Sequence, residues 1–177
     1  SAVSGRQWFG GWHADPGNAF AQYLVEPVRD LAVHRNVLSP AAQAAFAQRG
    51  DSVVVGRTLA ERFGWHEGQQ VRLTSTTWPA PDGNDDWDFV LAGVFEPDPD
   101  GSGATDANVM LINRRAFDER IAYATNLVGW FVVRLRPEAD SAPVIAAIDA
   151  LFAQEASPTV TSTERVYAAH MLRQLGD

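Results

Sequence analysis

The sequence predicts an α+β fold with two lobes, and three observations carry that prediction. Apolar strand-like runs alternate irregularly with short helical patterns, and several are joined by hairpin-type connections rather than by regular crossovers. The segment from Leu127 to Leu135 is apolar at both alternating positions, as expected of a central strand. The stretch from Val71 to Ile112 instead alternates along its strands and is cut by polar loops, which suits a β-rich lobe of its own. The expected division is therefore 1–52 with 116–177 as one α+β lobe, and 53–115 as an inserted, mainly β lobe.

From the start of the chain, Ser1 to Asn36 is aromatic and irregular, with Trp8-Phe9-Gly10-Gly11-Trp12 followed by the turn signal Asp15-Pro16-Gly17-Asn18. Phe20 to Val25 reads as a short strand and Glu26 to Arg35 as a helical turn or short helix. Ser39-Pro40 sets a capping hydroxyl before a proline at the first helical position, and the Ala-rich run to Gln48 stops before Gly50. Val53-Val54-Val55 is a β-branched strand. Leu59, Ala60 and Phe63 have helical spacing, and Gly64 suits the left-handed position that closes a helix.

Val71 and Leu73 alternate along the next strand, after the Glu67-Gly68 turn. Thr76 to Asp86 is polar and rich in turn formers, hence a loop. Trp87, Phe89 and Leu91 then share one strand face, with Val90, Ala92 and Val94 opposite. Pro97 to Asp106 is a second acidic loop, Val109 to Ile112 a strand, and Arg114 to Tyr123 a helix. Ser141 and Pro143 open a helix with Val144, Ile148, Leu151 and Phe152 along one stripe. After Pro158 and a short strand at Val160, Thr161-x-x-Glu164 reads as a capping box, opening a last helix to about Leu175.

Composition removes several functions. The net charge is −8, and all 14 basic residues are Arg, with no Lys. Nucleic-acid binding needs clustered positive charge, so no nucleic-acid partner is expected. Without Cys there is no disulfide framework, thiolate metal site or Cys nucleophile. The longest uncharged apolar stretch, Ile121 to Val133, falls short of the roughly 20 residues a spanning helix needs, and no signal peptide is visible.

Chemistry-bearing patterns are sparse. No Gly-x-Ser-x-Gly elbow is present, since Gly101-Ser102-Gly103 lies in a loop. His13, His34, His66 and His170 have no paired spacing, and in His13-x-Asp15 the turn already accounts for the carboxylate. Asp98-x-Asp100-Gly101-x-Gly103-x-x-Asp106 resembles a calcium loop but lacks the bidentate Glu at its twelfth position. A solvated hairpin loop explains the same residues, as it does Asp82 to Asp88. Six Trp raise carbohydrate binding, but Trp65, Trp87 and Trp130 sit where packing is expected, while Trp8, Trp12 and Trp78 are less constrained. No catalytic, cofactor-binding or metal residue is assigned.

The segment Val53 to Leu73, VVVGRTLAERFGWHEGQQVRL, resembles the MacB-like periplasmic core domain of bacterial ABC-transporter permeases. That family shows a hydrophobic strand, a Gly, a short helix ending in Gly, a turn ending in Gly and a second strand. Trp87 to Glu96 (WDFVLAGVFE), Thr105-Asp106 before a strand ending in Asn113, Val128-Gly129-Trp130 and Ile148 to Phe152 follow in the family's order. The closing Thr161 to Gly176 segment is similar to the one that leads back to the membrane, and Trp8-Phe9-Gly10-Gly11 matches one subgroup. The chain departs from the fuller pattern at its start, where a strand normally precedes that Trp-Phe-Gly-Gly segment.

The resemblance implies the two-lobed, porter-like domain that lies between the first and second spanning helices of a permease, on the periplasmic side of the inner membrane. It implies a dimer with a second copy or a paralogous permease subunit, an ATPase as a separate domain or chain, a possible periplasmic adaptor, and membrane attachment through helices outside this chain. It also implies coupling of ATP hydrolysis to export or extraction, with no catalysis by this chain. The absence of Lys already excludes a Walker-type phosphate loop. A stand-alone periplasmic ligand-binding module is the alternative. A hydrolase is a third reading, which would need a convergent nucleophile and base.

Overall fold

A computed structural model describes residues 2–97 and 107–167. The chain divides into two compact units, Ala2–Pro99 with Thr105–Arg134, and a second that takes in Leu135–Asp177.

Among the described residues, the first unit is organised on one mixed sheet of seven strands: β1 (Ala2–Trp8), β2 (Ala21–Val25), β3 (Ser52–Gly56), β4 (Gln70–Thr74), β5 (Asp86–Phe95), β6 (Val109–Asn113) and β7 (Trp130–Arg134). Their order is β4-β5-β3-β6-β2-β1-β7. β2 pairs parallel with β6, and β3 pairs parallel with β5 but antiparallel with β6. Helices α1 (Pro27–His34), α2 (Pro40–Gln48), α3 (Arg57–Phe63) and α4 (Arg114–Arg120) cover the sheet.

The local chemistry sets most boundaries. The Ser39 hydroxyl accepts from the Ala42 N–H at 3.2 Å to open α2, as its spacing predicts. Gly64 closes α3 at φ +66°, a conformation that costs glycine no Cβ clash. β3 and β6 are buried at every position because helices lie on both faces of the sheet there. Val53, Val55, Met110 and Ile112 join one core with Phe9, Phe89, Trp87 and Phe117, while Val54, Val109 and Leu111 join the other with Phe46, Leu38 and Phe95.

One feature of β5 redirects its side chains. Val53 pairs with Leu91 and Val54 with Gly93, so the register shifts by one residue at a bulge. Trp87, Phe89 and Leu91 therefore face the first core, as the alternation predicts, but Phe95 crosses to the second. The same shift aims Gly93 at α2, where an added Cβ would lie 2.5 Å from the Ala42 Cβ.

Four expectations are corrected in this unit. The opening residues form β1 rather than an irregular stretch, so the strand expected before Trp8-Phe9-Gly10-Gly11 is present. Among the described residues β7 pairs only with β1 and is an edge strand, not a central one. The helix expected to Tyr123 ends at Arg120 and is followed by a 3-10 turn, Ala122–Ala124. The strands of 53–115 do not form a sheet of their own. β6 joins them to β2, and Phe9, Phe20 and Leu24 share a core with Val53, Leu73 and Leu91.

In the second unit, α5 (Ser141–Phe152) is opened by Asp140, whose carboxylate accepts from the Ala142 N–H at 3.0 Å. Residues 164–167 are helical. Their cap is Thr163 rather than the expected Thr161: the Thr163 hydroxyl accepts from the Val166 N–H at 3.4 Å, and its carbonyl from the Tyr167 N–H at 3.0 Å. The Thr161 N–H donates to Asp149 at 2.8 Å instead. The continuation to Leu175, with His170, Met171 and Gln174, lies outside the described residues.

Candidate functional site

The buried ionisable side chains among the described residues gather between β1 and α1. Ser4 and Arg6 alternate on one face of β1, and Asp30 and His34 stand one helical turn apart on α1. All four are buried, Asp30 completely. Arg6 grips Asp30 with two parallel bonds, Nε to Oδ1 and Nη2 to Oδ2, each 2.8 Å. The Ser4 hydroxyl donates to Oδ1 at 3.3 Å.

The His34 Nδ1 lies 3.0 Å from Arg6 Nη2. A guanidinium only donates, so in this contact the imidazole Nδ1 accepts and its proton sits on Nε2. The charge of Asp30 is thus matched by Arg6 in two-pronged geometry, the arrangement that best offsets the desolvation of both ions.

Beside this cluster, Arg6 also stacks over Tyr23 at 5.2 Å. Tyr23 in turn meets Trp8 at 5.8 Å and Trp130 at 5.3 Å. Trp8 is 44% exposed, so this aromatic group closes the polar cluster from β1, β2 and β7 while reaching solvent. Arg134 of β7 donates to the Val33 carbonyl of α1 at 2.8 Å.

The residues singled out from sequence are dispersed. His13 donates from Nδ1 to the Arg72 carbonyl at 2.9 Å and packs edge-on against Phe63 and Trp65, a packing role. Asp15 accepts from the Gly17 N–H within its own turn, at 2.8 Å. His66 lies near its neighbour's carbonyl on the surface. The acidic loop before β5 is fastened by Arg120, which donates to the Asp86 carbonyl at 2.7 Å and to the Asn84 carbonyl, and stacks over Trp87 at 4.3 Å. In that loop the Asn84 N–H, and secondarily Arg120, hold the Asp82 carboxyl below the usual carboxylate range. Trp65 and Trp87 are buried, as expected for packing. His170 and the Asp98 to Asp106 loop lie outside the described residues. Among the described residues, no three His, Asp or Glu side chains gather as a metal would require.

A surface cleft of about 520 Å³ opens where β2 and β6 end, lined by Glu26, Pro27, Val28, Asn113, Arg114 and Asp118 among others. Its two basic groups are engaged internally: Arg114 pairs with Asp118 at 2.8 Å, and Arg115 donates to the Gln48 carbonyl at 3.2 Å. The buried cluster went unread in the sequence because β1 did. The available signal was polar alternation at Ser4 and Arg6 facing an Asp and a His four residues apart.

With the sheet, its helices and this clasp in place, the class is a mixed α/β domain built on one central sheet. Residues 15–151 match the MacB-like periplasmic core domain, and the chain belongs to that family. A crystal structure of a domain of a candidate permease from Porphyromonas gingivalis shares the fold, with TM-score 0.51 and 18% identity over 98% of this chain and 82% of that one. No curated protein matches the chain.

Proposed function

We propose that this domain is the extracytoplasmic part of an ABC-transporter permease subunit, where it converts ATP-driven movement of the membrane region into export or extraction of a substrate. The observation that supports the reading most is the family match across residues 15–151. On this reading the domain works beside a second copy or a paralogous permease subunit, on the outer side of the inner membrane. An ATPase on another domain or chain supplies the energy, and an adaptor is a further candidate partner. The domain itself catalyses nothing: its buried ions are spent on joining strand to helix.

The absence of Cys makes a direct test possible. In the parent membrane protein, stripped of any other Cys, Val28→Cys sits on α1 at 65% exposure. A membrane-impermeant maleimide added to intact spheroplasts should label it without permeabilisation. Labelling only after permeabilisation would overturn the placement.

A further inference from the structure

We infer that α1 is a cross-brace that holds the β1–β7 pair closed. Among the described residues, β7 is an edge strand whose only strand partner is β1, over five antiparallel positions from Arg6↔Trp130 to Ala2↔Arg134. The first residue of β1 and the last of β7 therefore lie opposite each other at one end of the pair. Force that separates those two ends breaks the pairing one residue at a time, the weakest way to stress a strand pair.

Two arginines oppose that peeling, and both end on α1. Arg6 of β1 ties Asp30, with Ser4 adding a third bond. Arg134 of β7, at the open end, ties the carbonyl of Val33, one turn further along the same helix. The helix thus spans both strands, fastened once to each by a long side chain whose planar, always-charged head holds a fixed geometry. Pro27 and Arg35 fix the helix ends by a rigid start and a left-handed stop. Helix and strands move as one body.

The source of the force, flanking segments displaced during transport, rests on the proposed function. The brace does not, and its test reads the isolated property. Amide hydrogen exchange is followed in the full 177-residue chain for the wild type, Arg134→Ala and Asp30→Asn. Arg134→Ala removes the fastener at the open end, so exchange should rise at least tenfold across 130–134 and the start of β1. Protection of 53–56, 87–95 and 109–113 should be unchanged. Asp30→Asn, which keeps the side chain's shape, should extend the loss along all of β1.

Unchanged protection of 130–134 in Arg134→Ala would overturn the brace. So would an equal loss through β3, β5 and β6, because the fasteners would then support the whole fold rather than this pair. If labelling shows the domain on the cytoplasmic side while the exchange pattern appears as described, the functional reading fails and the brace stands.

Discussion

Arg6 on β1 and Asp30 on α1 form a two-pronged ion pair with both bonds at 2.8 Å and the carboxylate fully shielded from water. Such a pair is costly to break and cheap to replace. Arg6→Ala leaves the Asp30 charge without its counterion and should lower stability by about 3–5 kcal/mol. The double replacement Arg6→Met with Asp30→Leu removes both charges and should cost far less, about 1–2 kcal/mol or nothing. Urea unfolding of the three proteins checks this. Equal losses in the single and double variants would show that charge compensation is not what matters there.

The β5 bulge makes a second prediction. It aims Gly93 at α2, with only 2.5 Å available between an added Cβ and Ala42. Gly93→Val should therefore overpack the site and cost about 1–3 kcal/mol, a fall in melting temperature of about 2–4 °C per kcal/mol for a chain of this size. Gly64→Ala meets no neighbour within 4 Å and is disfavoured only by its φ of +66°, at about 1 kcal/mol. Thermal unfolding should rank Gly93→Val below Gly64→Ala.

The exposed ion pairs set a modest acid dependence. The Arg49 guanidinium beside Asp51 holds that carboxyl below the usual carboxylate range, and Arg72 does the same for Asp88. A depressed folded pKa contributes stability above the unfolded value of about 4, and the contribution is lost as pH falls through the folded value. Because these side chains are 44% and 60% exposed, water and salt reduce each to a few tenths of a kcal/mol or so. Asp51→Asn and Asp88→Asn should therefore slightly flatten the loss of stability below pH 4, and the difference should shrink in 0.5 M salt. A larger effect in high salt would contradict the assignment.

The second unit gives a prediction that separates two threonines. Thr163 caps the helical turn at 164–167, whereas Thr161 donates its N–H to Asp149. Thr163→Ala should fray the turn at a cost of about 1 kcal/mol, while Thr161→Ala leaves it intact. Backbone chemical shifts of 164–167 distinguish the two. On the proposed function, Thr163→Ala in the parent permease should also weaken export with ATP binding unchanged.

Much of the fold was legible because local chemistry and burial agree. Ser39-Pro40 opens α2, Gly64 closes α3, and the Val53 to Val55 run is buried on both faces. β1 was not legible, because its inward side chains are Ser4 and Arg6, whose burial depends on Asp30 more than twenty positions away. β7 looked central because Trp130 to Val133 is apolar throughout, yet Phe131 is 60% exposed at the sheet edge. The crossing of Phe95 needed the bulge, which alternation alone does not reveal. The Thr161 motif fits a capping box in sequence, but Asp149 claims its amide.

The central claim, that the domain moves with the ATP cycle of a permease, is tested most directly by distance. In the parent transporter, reconstituted with its ATPase in lipid nanodiscs, Val28→Cys carries a spin label on each of the paired subunits. Pulsed electron resonance should then show the inter-label distance shift between the nucleotide-free and ATP-trapped states. An unchanged distance distribution, in a preparation that hydrolyses ATP and is shown to be trapped, would contradict the account.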